Sequence, residues 1–312
     1  MMNLSLVRRK LKTHQLKFKF KVLGSRSNTK ACICYIEGLA NKAILAELEK
    51  RLAEINLDGI LGVNFINELI KNAPLSPFKT IGRTERPDVI AGKLLEGRVA
   101  MIVDGTPVAL TLPFIFIEYF QANDDYYTNF FFASFSRIVR IVSFFFTISV
   151  PAIYLALTTF HQEMLPTSLL LSISAARQGV AFPTIIELLI LGLAFEILKE
   201  AGIRMPTVIG EALSIVGALF LGQAAVEARI VSAPMVIVTG FTAVAGLMIP
   251  GMSGLIIILR VVFVIMVTLI GFYGYIFGVV GLLSTCSNTF LRRALYDSFE
   301  FVKPSRFKGY RR

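Results

Sequence analysis

Six polar side chains lie in or beside long apolar stretches: Glu187, Glu196, Glu211, Gln223, Glu227 and Arg260. A charge at the centre of a bilayer costs about 2.5 to 3.5 kcal/mol even on lenient scales, so each is expected to face protein or water. An ion path or a substrate cavity uses such groups. Snorkelling to the interface and hydrogen bonding between helices use them too, and near segment ends, at Glu196 and Glu227, those structural roles are favoured.

Other chemistry has little to draw on. His14 and His161 are far apart, with no Cys or carboxylate at metal-ligand spacing, and the sequence carries no phosphate loop or nucleophile elbow. An enzyme, a bound metal and a cofactor are therefore not expected. The Cys32-Ile33-Cys34 pair reads as buried thiols in a reducing compartment rather than as a disulfide framework.

The polar groups are embedded in an unusually apolar chain. Of 312 residues, 55% are hydrophobic and 17% charged, against about 45 to 50% and about 25% in ordinary soluble domains. That excess excludes disorder and points to lipid-facing helices. The net charge of +11 gathers at the two ends: residues 1–100 hold 18 Lys and Arg against 9 acids, and residues 285–312 hold 7 against 2. Both ends are therefore expected in the cytoplasm.

The pattern divides into four parts: a basic arm with one strand over 1–30, a cytoplasmic α+β domain over 31–122, a transmembrane helical domain over 123–284 and a basic cytoplasmic tail over 285–312. The arm is no secretory signal, because it holds nine Lys and Arg without an apolar run. Its Leu16-Lys17-Phe18-Lys19-Phe20-Lys21-Val22 alternates as a strand, either an edge strand with a solvated lysine face or one lying on anionic lipid. Nucleic acid is disfavoured for so short a basic stretch.

In the next part a strand over 31–36 has no obvious partner. Asn41 caps a helix over 43–55 with Ile44, Leu45, Leu48 and Leu52 on one face, and Asp58 is expected to cap a second helix through Lys71 that buries Ile60, Leu61, Phe65, Leu69 and Ile70. Pro74 and Pro77 then break the chain. A short helix opens at Pro87, and β-rich runs over 99–103 and 108–112 meet through Asp104-Gly105 in a hairpin.

From Asn123 the chain turns apolar. Asn123, Asp124 and Asp125 offer caps to a helix that passes Arg137 and Arg140 and spans the membrane over 141–160, with a kink expected at Pro151, whose missing N–H frees the Thr147 carbonyl for Thr147 or Ser149 to satisfy. Apolar segments follow over 183–198, 208–228, 232–249 and 254–283, and a surface helix over 164–177. Five crossings would put the two basic ends on opposite sides, so the pattern predicts about four full spans plus one interfacial or re-entrant helix, the weakest span being 183–198. Gly210, Ser214 and Gly217, beside Glu211, form a small-residue stripe suited to holding an oligomer seam, and Gly271, Gly274, Gly278 and Gly281 repeat the pattern.

Thr84-Glu85-Arg86-Pro87-Asp88, Leu95-Glu96-Gly97-Arg98-Val99 and Val103-Asp104-Gly105-Thr106-Pro107, followed by Asp125-Tyr126-Tyr127, Arg137-Ile138-Val139-Arg140, Pro151-Ala152-Ile153-Tyr154 and the run from Glu196 to Pro206, resemble the A subunit of GerA-type spore germination receptors. The chain is similar to an N-terminally short member. The resemblance implies a spore inner-membrane protein that works with a transporter-like B subunit and a lipoprotein C subunit, senses nutrients and starts germination by ion release, its A subunits forming a homo-oligomeric channel. Gln178, Gly192 and Arg229 depart from the family pattern, Arg229 standing where Gly is usual. The alternatives are an accessory membrane protein of the spore dipicolinate-release channel and, from another class, a small-solute secondary transporter.

Overall fold

The computed structural model describes residues 2–71 and 78–298, apart from the side chains at 2–3, 207–209, 211–215 and 286–298. The chain forms two compact units, residues 1–118 and 119–312. Pro74, Pro77 and residues 299–312 of the basic tail lie outside the described residues.

The first unit is built on a five-stranded antiparallel sheet in the order β1 (Leu16–Leu23), β2 (Thr29–Ile36), β4 (Val99–Val103), β5 (Ala109–Leu112), β3 (Gly82–Thr84). The strand over 31–36 is not without partners: β2 pairs with β1, from Leu16 opposite Ile36 to Leu23 opposite Thr29, and with β4 on its other side. The hairpin that makes the first pairing turns through Gly24 and Asn28, both at positive φ. The arm also carries a helix that the sequence reading lacks, α1 (Met2–Lys10), ahead of β1.

β2 and β4 are apolar on both sides because both sides are covered. One face, with Ala31, Ile33, Met101 and Leu110, packs on Leu48 and Leu52 of α2 (Lys42–Glu54) and on Val63, Ile66 and Ile70 of α3 (Val63–Ile70). The other, with Cys32, Cys34, Ala100 and Ile102, packs on Val7 of α1 and on Ile90 and Leu94 of α4 (Pro87–Leu95). The two thiols are thus core groups. Asn41 caps α2 through its side chain, which accepts from the Ala43 N–H at 2.8 Å.

Asp58 does not cap α3, which starts five residues later behind Gly62. Its carboxylate instead accepts from the Ser25 hydroxyl, and its carbonyl from the Arg26 and Ser27 N–H groups, so it holds the β1–β2 turn. The late start rotates the helix: Val63, Ile66 and Ile70 go inside with Asn67, while Leu61, Phe65 and Leu69 are exposed. β1 is an edge strand whose lysines are paired rather than bare, Lys17 with Glu37 and Lys19 with Glu49.

The second unit is helical. It comprises α5 (Phe130–Thr159), α6 (Thr167–Arg177), α7 (Thr184–Arg204), α8 (Thr207–Glu227), α9 (Ala233–Leu247), α10 (Ser253–Ile270) and α11 (Phe272–Ser298). α6 buries none of its residues within the chain. Among the described residues, two stretches are long and apolar enough to cross a membrane, Phe130–Thr159 and Pro250–Ile270. α5 is the hub, with Phe144, Thr147, Ile148, Ala152, Leu155 and Ala156 buried against its neighbours.

Asn123 and Asp124 do not cap α5, because the residues over 123–126 form a separate 3-10 turn and the helix starts behind Asn129. Asp125 has another role. Its carboxylate, 4% exposed, accepts from Arg140 at 2.8 and 2.9 Å and from Arg137 at 3.1 Å, and Arg140 also donates to the Phe120 carbonyl. The Arg140 hydrogen bonds, helped by Arg137 and opposed by burial, hold the Asp125 carboxyl at about 2.

α5 continues through Pro151. The Thr147 hydroxyl donates one turn back to Ser143, and Ser149 accepts from the Tyr275 hydroxyl of α11 at 3.1 Å, so neither is spent on the carbonyl that the proline leaves free.

The stretch over 254–283 is two helices, not one span. Gly271, with φ +66 and Phe160 and His161 packed on it, turns the chain back, and α11 lies along α10 through Gly274, whose Cα faces the Met266 backbone, and Gly278, which faces the Phe263 ring. The other stripe turns to α7 of the same chain: a Cβ on Gly210 would lie 2.5 Å from the Gly202 carbonyl oxygen, and one on Gly217 2.9 Å from Leu198. The side chains of Glu211 and Ser214 lie outside the described residues.

α8 ends in a two-bond C-terminal motif, Arg229 N–H to the Val226 carbonyl and Ile230 N–H to the Ala225 carbonyl, with Arg229 at φ +52 in the position that favours glycine. Arg229→Gly should therefore raise stability by about 1 kcal/mol in thermal unfolding of the detergent-solubilised chain; a drop would show that the side chain does more than the backbone strain costs. Asp125→Asn, which strands two arginines, should cost about 3 kcal/mol. Because the folded carboxyl titrates at about 2 against an ordinary 3.8, the wild-type advantage over this variant should be complete above about pH 4 and vanish as pH falls toward 2. Gly274→Leu should open the α10–α11 pair and lose stability, whereas Gly281→Leu, with nothing within 4 Å of its Cβ position, should be tolerated in the same melting assay.

Candidate functional site

The polar residues of the helical unit separate into a closed site, a half-open one and an exposed row. The closed site surrounds Glu187, in the first turn of α7 and 0% exposed. Its position follows from local chain chemistry. Pro183 precedes the helix with extended backbone and accepts from the N–H groups of Ile186 and Glu187, while the Ala181 N–H bonds to the Arg229 carbonyl. These contacts lay the start of α7 beside the start of α9.

Ser232, the residue before α9, is of the type that normally caps a helix through its hydroxyl. Here that hydroxyl donates to Glu187 Oε2 at 2.7 Å, and the Ser232 N–H donates to the same oxygen at 2.8 Å. The carboxylate thus sits at the positive end of α9. Its other oxygen, Oε1, makes no hydrogen bond among the described residues, and neither does the buried hydroxyl of Thr184. Thr184 is one turn before Glu187 on the same face, and the Tyr154 hydroxyl of α5 is hydrogen-bonded to the Ser232 side chain, with the charges of Arg177 and Glu187 near it.

The half-open site lies nine residues further along α7, about 13 Å by helical rise. There Glu196 Oε1 pairs with Arg260 of α10 at 3.8 Å and Oε2 with Lys199 at 3.5 Å, while Arg260 Nε is buried without a partner among the described residues. Gln223 and Glu227 form the exposed row on α8. Sequence spacing joins all of these as one set. The structure brings Glu196 to Arg260 and leaves Glu187 apart, in contact with Ser232, a residue that serine-before-helix patterning marks only as a cap.

The motif of the first unit that carries the family resemblance is architectural. Thr84 Oγ1 accepts from the Arg86 N–H, the Arg86 guanidinium grips Asp88, and Pro87 opens α4, with Glu85 beside them; Asp104 and Gly105 form the β4–β5 turn, Gly105 at φ +81. Arg98 and Lys93 close on Glu118, a buried carboxylate missing from the sequence reading for want of any motif around it. Burial pushes the Glu118 carboxyl up, and hydrogen bonds from Arg98, Lys93 and the Ile115 N–H outweigh it, so the net position is below the ordinary range.

Comparison with known proteins places these features in a lineage. Residues 1–292 match the Bacillus/Clostridium GerA spore germination protein family. Spore germination protein KA of Bacillus subtilis (strain 168) is 46% identical over 280 residues, 89% of this chain and 52% of that protein, and spore germination protein A1 of the same organism is 39% identical over 276 residues, 88% and 57%. Spore germination protein GerLA of Bacillus cereus is 40% identical over 282 residues, 90% and 57%. The chain spans about half the length of these relatives. Among solved structures, the N-terminal domain of the A subunit of the Bacillus megaterium spore germinant receptor GerK3 is 44% identical, covering 37% of this chain and 91% of that one at a TM-score of 0.30. With the family matched across both units, the chain belongs to the Bacillus/Clostridium GerA spore germination proteins.

Proposed function

We propose that this chain acts as the A subunit of a nutrient-responsive spore germination receptor, forming a homo-oligomer that passes ions across the spore inner membrane without catalytic turnover. The observation that carries the reading is a charged residue held inside an apolar helical unit, Glu187 at 0% exposure, in a chain of this family. Such groups are retained in membranes where ions or protons move. The transporter-like B subunit and the lipoprotein C subunit are its partners in this reading, and the basic ends rest near anionic lipid.

Both termini face the cytoplasm. With α10 and α11 separate, six helices replace five apolar segments, and an even count now needs none or two of them to stay out of the bilayer. α9, with 15 residues, is short for a span, and α7 carries Glu187, Glu196 and Glu200, so about four full crossings remain the reading, α7 staying interfacial or re-entrant. A secondary transporter usually shows two matching halves. Helices of 30, 21, 21, 15, 18 and 27 residues, α5 and α7 to α11, offer no such repeat.

Reconstituted into potassium-loaded liposomes, the purified chain should release potassium faster than empty liposomes do, and its mass in detergent should be a multiple of 34.5 kDa. A monomer that stays silent with the B and C subunits present would overturn the reading in favour of an accessory role.

A further inference from the structure

We propose that Glu187, Thr184, Tyr154 and Ser232 form a binding site for one dehydrated monovalent cation, of the sodium or potassium class, at the meeting point of α5, α7 and the start of α9. For its purpose the site rests on the ion-passage reading; its geometry is independent of it. Two orphaned oxygens carry the argument. Glu187 Oε1 and Thr184 Oγ1 are buried and make no hydrogen bond among the described residues, and the Tyr154 hydroxyl, hydrogen-bonded to Ser232, lies in the field of the same carboxylate. A buried polar atom left without a partner costs about 1 to 3 kcal/mol, and a charged one more. One such atom is an ordinary defect; an orphaned carboxylate oxygen and an orphaned hydroxyl one turn apart on α7, with the Tyr154 hydroxyl of α5 near them, are a donor set.

The set has the chemistry of a hard cation's shell, which is made of carboxylate, hydroxyl and carbonyl oxygens and contains no nitrogen or sulfur. Its geometry is fixed from outside. Ser232 holds Oε2 with two hydrogen bonds, 2.7 and 2.8 Å, which leaves Oε1 as the open ligand and keeps the carboxylate from turning. Glu187 also has no cationic side chain of its own: among the described residues no Lys, Arg or His lies within ion-pair distance of it, in contrast to Glu196, which has both Lys199 and Arg260.

The charge count selects the class. A single carboxylate supplies one negative charge, whereas a calcium site takes six to eight oxygens and several carboxylates. Among the described residues no three His, Cys, Asp or Glu groups gather in one place. Arg177, a positive neighbour of the Tyr154 hydroxyl, further disfavours a divalent ion. A monovalent ion neutralises Glu187 and gives the two hydroxyls an occupant for their lone pairs, as carbonyl oxygens replace the hydration shell in a selectivity filter.

The test is thermal unfolding of the full detergent-solubilised chain in sodium chloride, potassium chloride or N-methyl-D-glucamine chloride at one ionic strength. One of the alkali cations should raise the melting temperature over N-methyl-D-glucamine by on the order of 3 °C once it exceeds its Kd tenfold. Glu187→Gln and Thr184→Val should each abolish that increment, and Tyr154→Phe should weaken it. Identical melting in all three salts would overturn the site. So would an increment that survives in both Glu187→Gln and Thr184→Val. Should a variant fail to fold, the wild-type comparison among salts still decides. Liposome flux separates the two readings: flux without cation-specific stabilisation overturns the site and leaves the channel, and stabilisation lost in Glu187→Gln without flux overturns the channel and leaves the site.

Discussion

A carboxylate buried among apolar helices needs hydrogen-bond donors, and Glu187 obtains them from Ser232, 45 residues further along the chain. Much of the helical unit is arranged around this constraint. The contact requires the start of α7 to meet the start of α9, which requires α8 to leave α7 and return within a short connection. That return is made by the two-bond end of α8, where Arg229 takes a backbone conformation suited to glycine and its carbonyl anchors Ala181. Backbone strain at one residue and a buried charge at another are therefore two ends of one loop. In a low-dielectric surrounding the Ser232 bonds are strong and the cost of losing them is correspondingly large.

The sheet unit solves a different problem. With helices on both faces, its central strands carry unbroken apolar runs over 31–34 and 99–103, and Cys32 and Cys34 take the place that valine or alanine would otherwise fill. β1 is covered less completely: Phe20 and Val22 are about 60% exposed, while its lysines bend to acids on the opposite face. A charged edge of this kind resists pairing with another sheet. The Arg86–Asp88 and Arg98–Glu118 pairs, in which Arg86, Asp88 and Arg98 belong to the family pattern, fix the ends of α4 and β4.

Features with short-range physical causes were legible in the sequence. Asn41 caps α2, Pro87 opens α4 and Asp104-Gly105 joins β4 to β5, because each depends on a few consecutive residues. The partner of β2 was not legible, since the β1–β2 turn contains no Asn-Gly or Asp-Gly signal and the lysines of β1 make it look like a detached arm. Asp58 and Asp125 were misread for the same reason as each other. An acid ahead of an apolar run has the composition of a cap, but at both places a distant donor, Ser25 or Arg140, competes for the carboxylate and wins. In the site, hydropathy alone singled out Glu187, whereas Ser232, Thr184 and Tyr154 are ordinary residues until three helices place them together.

The two acidic positions of α7 show why burial and pairing must be read jointly. Glu196 has cations on two sides and is about a quarter exposed, so its charge is balanced by Lys199 and Arg260 and shared with the surroundings. Glu187 is fully enclosed and, among the described residues, is held by dipoles, the Ser232 N–H and O–H and the end of α9, with no ion pair. Dipoles stabilise a charge without cancelling it. A helix that carries one ion-paired acid and one acid held by dipoles, about 13 Å apart, therefore places its two carboxylates under different constraints: the first is satisfied by neighbouring side chains, the second by the backbone path that brings Ser232 to it.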